Sequence, residues 1–234
     1  MRGIFHAACN EITVSFNNGA WKPSQKGQCW KKKPANKDLT YEIYFQSSTK
    51  NTENYIDIIP HIRIYSSKAK AYDIAQTGNQ YCQGIVFSED LGTLSPRNHH
   101  VTWNIAGDKY QNNVDEIADF FVKYGLPVFT LFDNAETAIE KLKERGTLFY
   151  DYMVKEGDTL MPLTYILLYG TKEDAEQFFN GHVKRCTYKH RIYELYKSLE
   201  TADKIDLCFH EFYQAGFVKQ AYMEGLRLYP EVEA

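Results

Sequence analysis

The sequence predicts an α+β fold: an antiparallel β-sheet in the N-terminal half covered by helices, followed by an all-helical C-terminal extension. Two observations predict it. Up to about residue 110, apolar side chains recur at every second position, the period of a strand with one buried and one wet face. Beyond it they recur at steps of three and four, the period of an amphipathic helix. Such clean alternation points to an antiparallel sheet, because strands of a parallel sheet are buried on both faces and read as continuous apolar runs.

The elements follow in order. Ile12, Val14 and Phe16 alternate with Thr13 and Ser15 and predict a first strand. The stretch 17–38 is rich in Gly, Pro, Asn and Lys, so its ends read as turns, with Cys29-Trp30 as a short strand of a hairpin. Leu39, Tyr41, Ile43 and Phe45 form the inner face of the next strand, and Ile56, Ile58, Pro60, Ile62 and Ile64 that of another. Pro60 cannot donate to a ladder and predicts a bulge or an edge. A short helix or turn is expected over 67–75, a strand over 85–87, a loop over 88–100, and a strand through Val101, Trp103 and Ile105.

Helical spacing then takes over. Val114, Ile117, Phe121 and Tyr124 share one face, with Gly125 and Pro127 as the stop. Asp133-Asn134 is an N-cap for a helix through Ala138, Ile139 and Leu142 that ends at Gly146. Thr171 and Asp174 have capping-box spacing ahead of Ala175, Phe178 and Phe179. Further helices are expected through Ile192, Leu195, Tyr196 and Leu199, through Ile205, Cys208, Phe209 and Phe212, and, after a break at Gly216, through Val218, Ala221 and Tyr222 up to Pro230. The expected division is a sheet-plus-helices part over 1–146 and a helical extension over 147–234, closely packed because no Pro- or Ser-rich linker separates them.

Composition excludes several classes. A net charge of −3 gives no global attraction to nucleic acid or to an anionic membrane. The five cysteines, Cys9, Cys29, Cys82, Cys186 and Cys208, are scattered with no C-x-x-C pair, so neither a disulfide scaffold nor a zinc ribbon is expected. Reduced thiols, the lack of a signal-peptide apolar run at the N-terminus and the shortness of the apolar stretch 161–169 together predict a cytoplasmic protein without membrane contact.

Three clusters carry candidate chemistry. Trp21, Trp30, Lys31, Lys32 and Lys33, with Lys22 and Lys26 nearby, interleave aromatic and basic residues as single-strand nucleic-acid surfaces do, and are the candidate binding residues; the competing reading is a solvated hairpin whose indoles cover a sheet edge. His182, Cys186 and His190 follow at steps of four on one helical face. The two histidines are about 12 Å apart along the axis, too far to share an ion, so no metal is assigned and His182 with Cys186 is the remote candidate pair. His99 and His100, with Cys82, Ser88 or Ser95, lack any G-x-S-x-G elbow, so no catalytic residue is assigned. No glycine-rich phosphate loop is present and no cofactor is expected.

The order Gly27-Gln-Cys-Trp30-Lys-Lys, Tyr41-Glu-Ile-Tyr-Phe-Gln-Ser47, Ile62-Arg-Ile-Tyr65, Val101-Thr-Trp-Asn-Ile105 and Lys123-Tyr-Gly-Leu-Pro127 resembles a bacterial family of unknown function, domain number 4304, over residues 10–145. The resemblance implies a bacterial source and no activity. With 18 Tyr and three Trp, residues that serve interfaces well, the first functional expectation is a non-enzymatic macromolecular interaction module with a protein partner. A nucleic-acid partner and a homodimer are secondary expectations. The rival class is a hydrolase or transferase whose His and carboxylate groups come from distant positions.

Overall fold

The computed structural model describes residues 1–208 and 211–230 and is an α+β protein. In chain order its elements are α1 (Arg2–Phe16), β1 (Lys22–Ser24), β2 (Cys29–Lys32), β3 (Leu39–Ser47), β4 (Asp57–Ser66), α2 (Ser67–Thr77), β5 (Ile85–Asp90), α3 (Leu91–Leu94), β6 (Trp103–Asn104), α4 (Tyr110–Phe120), α5 (Leu126–Leu131), α6 (Ala135–Arg145), α7 (Leu163–Tyr169), α8 (Lys172–Arg185), α9 (Lys189–Leu199) and α10 (Ala215–Met223). They form two compact units. Met1–Ser66 with Phe87–Asp133 make the sheet unit, and Ser67–Val86 with the described residues from Asn134 onward make the helical unit.

In the sheet unit, β1 to β4 form an antiparallel meander, β5 lies beside β4, and β6 pairs antiparallel with the start of β4. The inner face carries Leu39, Tyr41, Ile43, Phe45, Ile58, Ile62 and Ile64, all fully buried. Phe129 of α5 stacks on Tyr41 at 5.0 Å and touches Trp21 at 5.1 Å, while Phe121 meets Phe45 edge-on at 5.9 Å. The sheet and its covering helices are therefore joined by aromatic rings, as the strand alternation requires.

Four expectations of this half are corrected. Residues 12–16 are the end of helix α1, not a strand: Phe5, Ala8, Cys9 and Ile12 form its buried stripe and Val14 is 62% exposed. Pro60 causes no bulge, since the β3–β4 register runs unbroken from Leu39 opposite Ser66 to Ser47 opposite Ile58. Phe45, opposite Pro60, spends both its backbone groups on Gln28, so Phe45 and Pro60 are a non-hydrogen-bonded pair in which the missing N–H costs the β3 ladder nothing. Gly125 and Pro127 do not stop the helix. A single π turn, Phe121–Gly125, joins α4 to α5 and makes room for the proline ring. Gly125 also permits close approach to the sheet, because a Cβ there would lie 3.0 Å from Phe121 and 3.4 Å from Ile62. Finally, the expected loop 88–100 contains the end of β5 and the helical turn α3, capped by Asp90 through Thr93 N–H at 3.0 Å.

In the helical unit, α6 packs on α7 and α8, α2 on α7, and α9 on α8 and α10. Its helix ends match local sequence signals. Asn134 accepts the Thr137 N–H at 2.9 Å, Gly146 takes φ +66° at the other end of α6, and Thr171 and Asp174 complete both bonds of a capping box on α8. Two expectations fail. No helix forms at Ile205, Cys208 or Phe212; Phe209 lies outside the described residues. Gly216 sits inside α10 instead of breaking it, and the chain turns into the helix at Gln214, with φ +72°.

Candidate functional site

Loop residue Asp158 is the centre of the buried polar structure of the helical unit. Its carboxylate accepts the N–H of Thr147 at 2.9 Å, Nε of Arg185 at 2.9 Å and the Thr147 hydroxyl at 3.2 Å, and lies 3.1 Å from Nδ1 of His182. The Asp158 side chain is fully buried and that of His182 nearly so. Burial alone would raise the Asp158 pKa, but the hydrogen bond and charge of His182 and the charge of Arg185 hold it below the usual carboxylate value. Nε2 of His182 faces the Tyr188 hydroxyl at 3.3 Å, and that hydroxyl accepts from Gln214 Nε2 at 2.9 Å. The same amide group donates to the Asp158 carbonyl at 3.2 Å, and Gln214 Oε1 accepts from the Leu160 N–H and the Thr159 hydroxyl. The chain before α10 is thereby fastened to the loop after α6.

Beside this anchor lies an apolar cavity of about 560 Å³. Tyr72, Met161, Leu207, Phe212 and Phe217 supply its walls, and Tyr213, 73% exposed, stands at its mouth. Its polar groups are mostly committed elsewhere. The Tyr72 hydroxyl is bonded to Glu224, and burial, reinforced by that carboxylate, pushes its pKa up. Thr77 donates to the Asp73 carbonyl at 2.6 Å, and Gln220 donates to Thr164 at 2.9 Å. Asp73 differs: its carboxylate has no ion-pair partner among the described residues, and burial pushes its pKa up to about 6. A raised carboxylate pKa means that folding favours the protonated form. No difference arises below 3.8, where both states are protonated, and stability falls as pH rises through about 6. Asp73→Asn should therefore raise the melting temperature at neutral pH by a few degrees and leave it unchanged near 3.8, as scanning calorimetry at the two pH values will read.

The residues singled out in the sequence lie elsewhere. Trp21 and Trp30 are both buried, Trp21 against Phe129 and Trp30 with its indole N–H donated to Gly27 at 2.8 Å. Lys31 points to the opposite face of β2, 3.3 Å from Glu42; Lys32 is half-buried and Lys33 is exposed beside the Lys37 carbonyl. The indoles are thus buried rather than presented with the lysines, and of the three lysines Lys32 alone shares the Trp30 face of β2. Glu42 itself gathers Lys31, Arg63, Tyr65 and the Cys29 thiol, which burial and this carboxylate push up to about 12.

His182 bonds to Asp158, Cys186 donates to the Val183 carbonyl at 3.5 Å, and His190 is exposed; among the described residues no three His, Cys, Asp or Glu groups gather as a cation site. His99 and His100 are exposed, His100 lying 3.5 Å from Asp90, and Ser95 is buried and bonded to Gly92, whereas Cys82 lines the cavity of the helical unit. Asp73, Asp158 and Gln214 escaped the sequence reading, since each gains its meaning from groups contributed by other segments. No helix among the described residues is long and apolar enough to cross a membrane. No family model, curated protein or solved structure matches the chain.

Proposed function

We propose that the chain is a non-enzymatic interaction module that takes an apolar side chain of a protein partner into the cavity walled by Tyr72, Phe212 and Phe217, with a basic residue of the partner set against Asp73. The observation that supports this is a largely apolar cavity of about 560 Å³ holding one half-buried carboxylate that has no ion-pair partner among the described residues. Volumes of this order accept one or two large side chains. The committed state of Tyr72, Thr77 and Gln220 favours binding over chemistry, because a catalytic group needs a free proton or lone pair. The Asp158–Gln214 anchor suits the same role, since it stiffens one wall and lowers the ordering cost of binding.

Selection of random peptides on the immobilised protein should enrich sequences with an aromatic or long aliphatic residue next to Lys or Arg. Their affinity should rise between pH 5 and pH 7 as Asp73 ionises around 6, and Phe217→Asp should abolish binding while leaving the far-ultraviolet circular dichroism unchanged. Peptides that bind the folded Phe217→Asp variant as tightly as the parent chain would sink the reading.

A further inference from the structure

A second cavity, of about 600 Å³, lies in the sheet unit between the start of α1, the turn between β1 and β2, and the end of β3. Its lining has Arg2, His6 and Lys26 together with the hydroxyl residues Ser47, Ser48 and Thr49, and no Asp or Glu. In a chain of net charge −3 that is an unusual concentration of donors. Neither Arg2 nor Lys26 has an ion-pair partner among the described residues.

The hydrogen bonds around the cavity sharpen this. Ser47 Oγ accepts from Asn51 Nδ2 at 3.0 Å and Ser48 Oγ accepts from the Lys50 N–H at 3.1 Å, so both hydroxyls keep an O–H to give. Asn51 Oδ1, an acceptor that would oppose an anion, is occupied by the Asp57 N–H at 2.9 Å. His6 Nδ1 is buried without a partner and out of reach of the cavity, so the ring can donate there only through Nε2. The cavity therefore offers O–H and N–H groups and two cations with few acceptors of its own, a donor set that fits an oxyanion.

The backbone holds Lys26 in place at a cost. Gln25 and Lys26 take φ +51° and +58°, left-handed values rare outside glycine, and Gly27 follows at +87°. Gly27 lies so close to α1 that a Cβ there would be 2.0 Å from Asn10 Oδ1. Packing of the turn against α1 thus sustains a conformation that Lys26 alone would avoid.

We infer that this cavity binds a small phosphorylated molecule, its phosphate held by Arg2, Lys26, His6 and the three hydroxyls and its organic part in the remaining space. This site is separate from the cavity of the helical unit, and neither proposal depends on the other. Amide-resolved NMR with inorganic phosphate as the probe, and sodium chloride at matched ionic strength as the control, tests it. Phosphate should shift the amides of Gly27, Ser48 and Thr49 saturably at low-millimolar concentration, and glycerol phosphate should bind more tightly. Lys26→Gly removes the ammonium and relieves the positive φ, so the variant should be at least as stable yet bind phosphate about tenfold more weakly. Gln25→Gly relieves the backbone likewise and should bind as the parent does. Equal shifts with chloride, or undiminished phosphate binding by Lys26→Gly, would overturn the assignment.

Discussion

Asp158→Ala should destabilise the protein by roughly 3–5 kcal/mol, the range found when one partner of a buried ion pair is removed. The substitution leaves the Arg185 guanidinium and the His182 ring facing a void from which Asp158 had excluded water. Arg185 already has a buried Nη2 without a partner, so it has little to fall back on. Thr147 would lose the acceptor of its N–H and the nearer of two acceptors of its hydroxyl, which keeps the Gly157 carbonyl at 3.4 Å. Chemical denaturation followed by far-ultraviolet circular dichroism measures the loss, and a change below about 1 kcal/mol would show that water replaces the carboxylate without penalty. The pH dependence has a fixed sign. Because the folded-state pKa of Asp158 is depressed, its contribution is present above 3.8 and vanishes as pH falls through the lower folded-state value. Asp158→Asn should accordingly differ most from the parent chain above 3.8 and converge with it in strong acid.

Phe129→Ala should cost a similar amount, roughly 3–5 kcal/mol, for a different reason. Phe129 is 2% exposed and fills the space between Tyr41 on the sheet and Trp21. Removing the ring forfeits its transfer free energy and leaves a cavity that the rigid strands cannot close. Water reaching Trp21 should move tryptophan emission to longer wavelength, which separates this loss from one in the helical unit, since Trp21, Trp30 and Trp103 all belong to the sheet unit. Tyr41→Phe is the milder companion. It keeps the ring and gives up the 2.9 Å bond to Asp133, for about 1 kcal/mol.

How much was legible depended on how local the cause was. Strands β3 and β4 were readable because one face of each meets the core along nearly its whole length. The caps at Asn134 and Thr171 were readable because the donor and acceptor lie three residues apart. Helix α1 was misread because Thr13 sits on its buried face with its hydroxyl returned to the Cys9 carbonyl at 3.0 Å, while apolar Val14 faces water. Those two inversions turn a helical stripe into apparent alternation. The π turn at Phe121–Gly125 defeated a sound rule about proline by widening one turn. The site residues were hidden for a stronger reason. The partners of Asp158 come from 11, 24 and 27 positions away, and the Gln214 side chain meets Asp158 and Thr159 from 56 and 55 positions away, so no window along the chain contains the arrangement.

The interleaving of the two units bears on how the chain is made. Residues 67–86 leave the ribosome directly after β4, yet the unit they belong to is otherwise built from residues beyond 133. Helix α2 therefore emerges about ninety residues before α7, the helix it packs on, and loop closure over such a span slows assembly. During that interval Ala69, buried in the fold, and Tyr72 and Ile74, half-buried there, lack their native cover within the helical unit. Nascent chains halted shortly after residue 133 should thus leave α2 open to limited proteolysis, from which the full-length chain protects it.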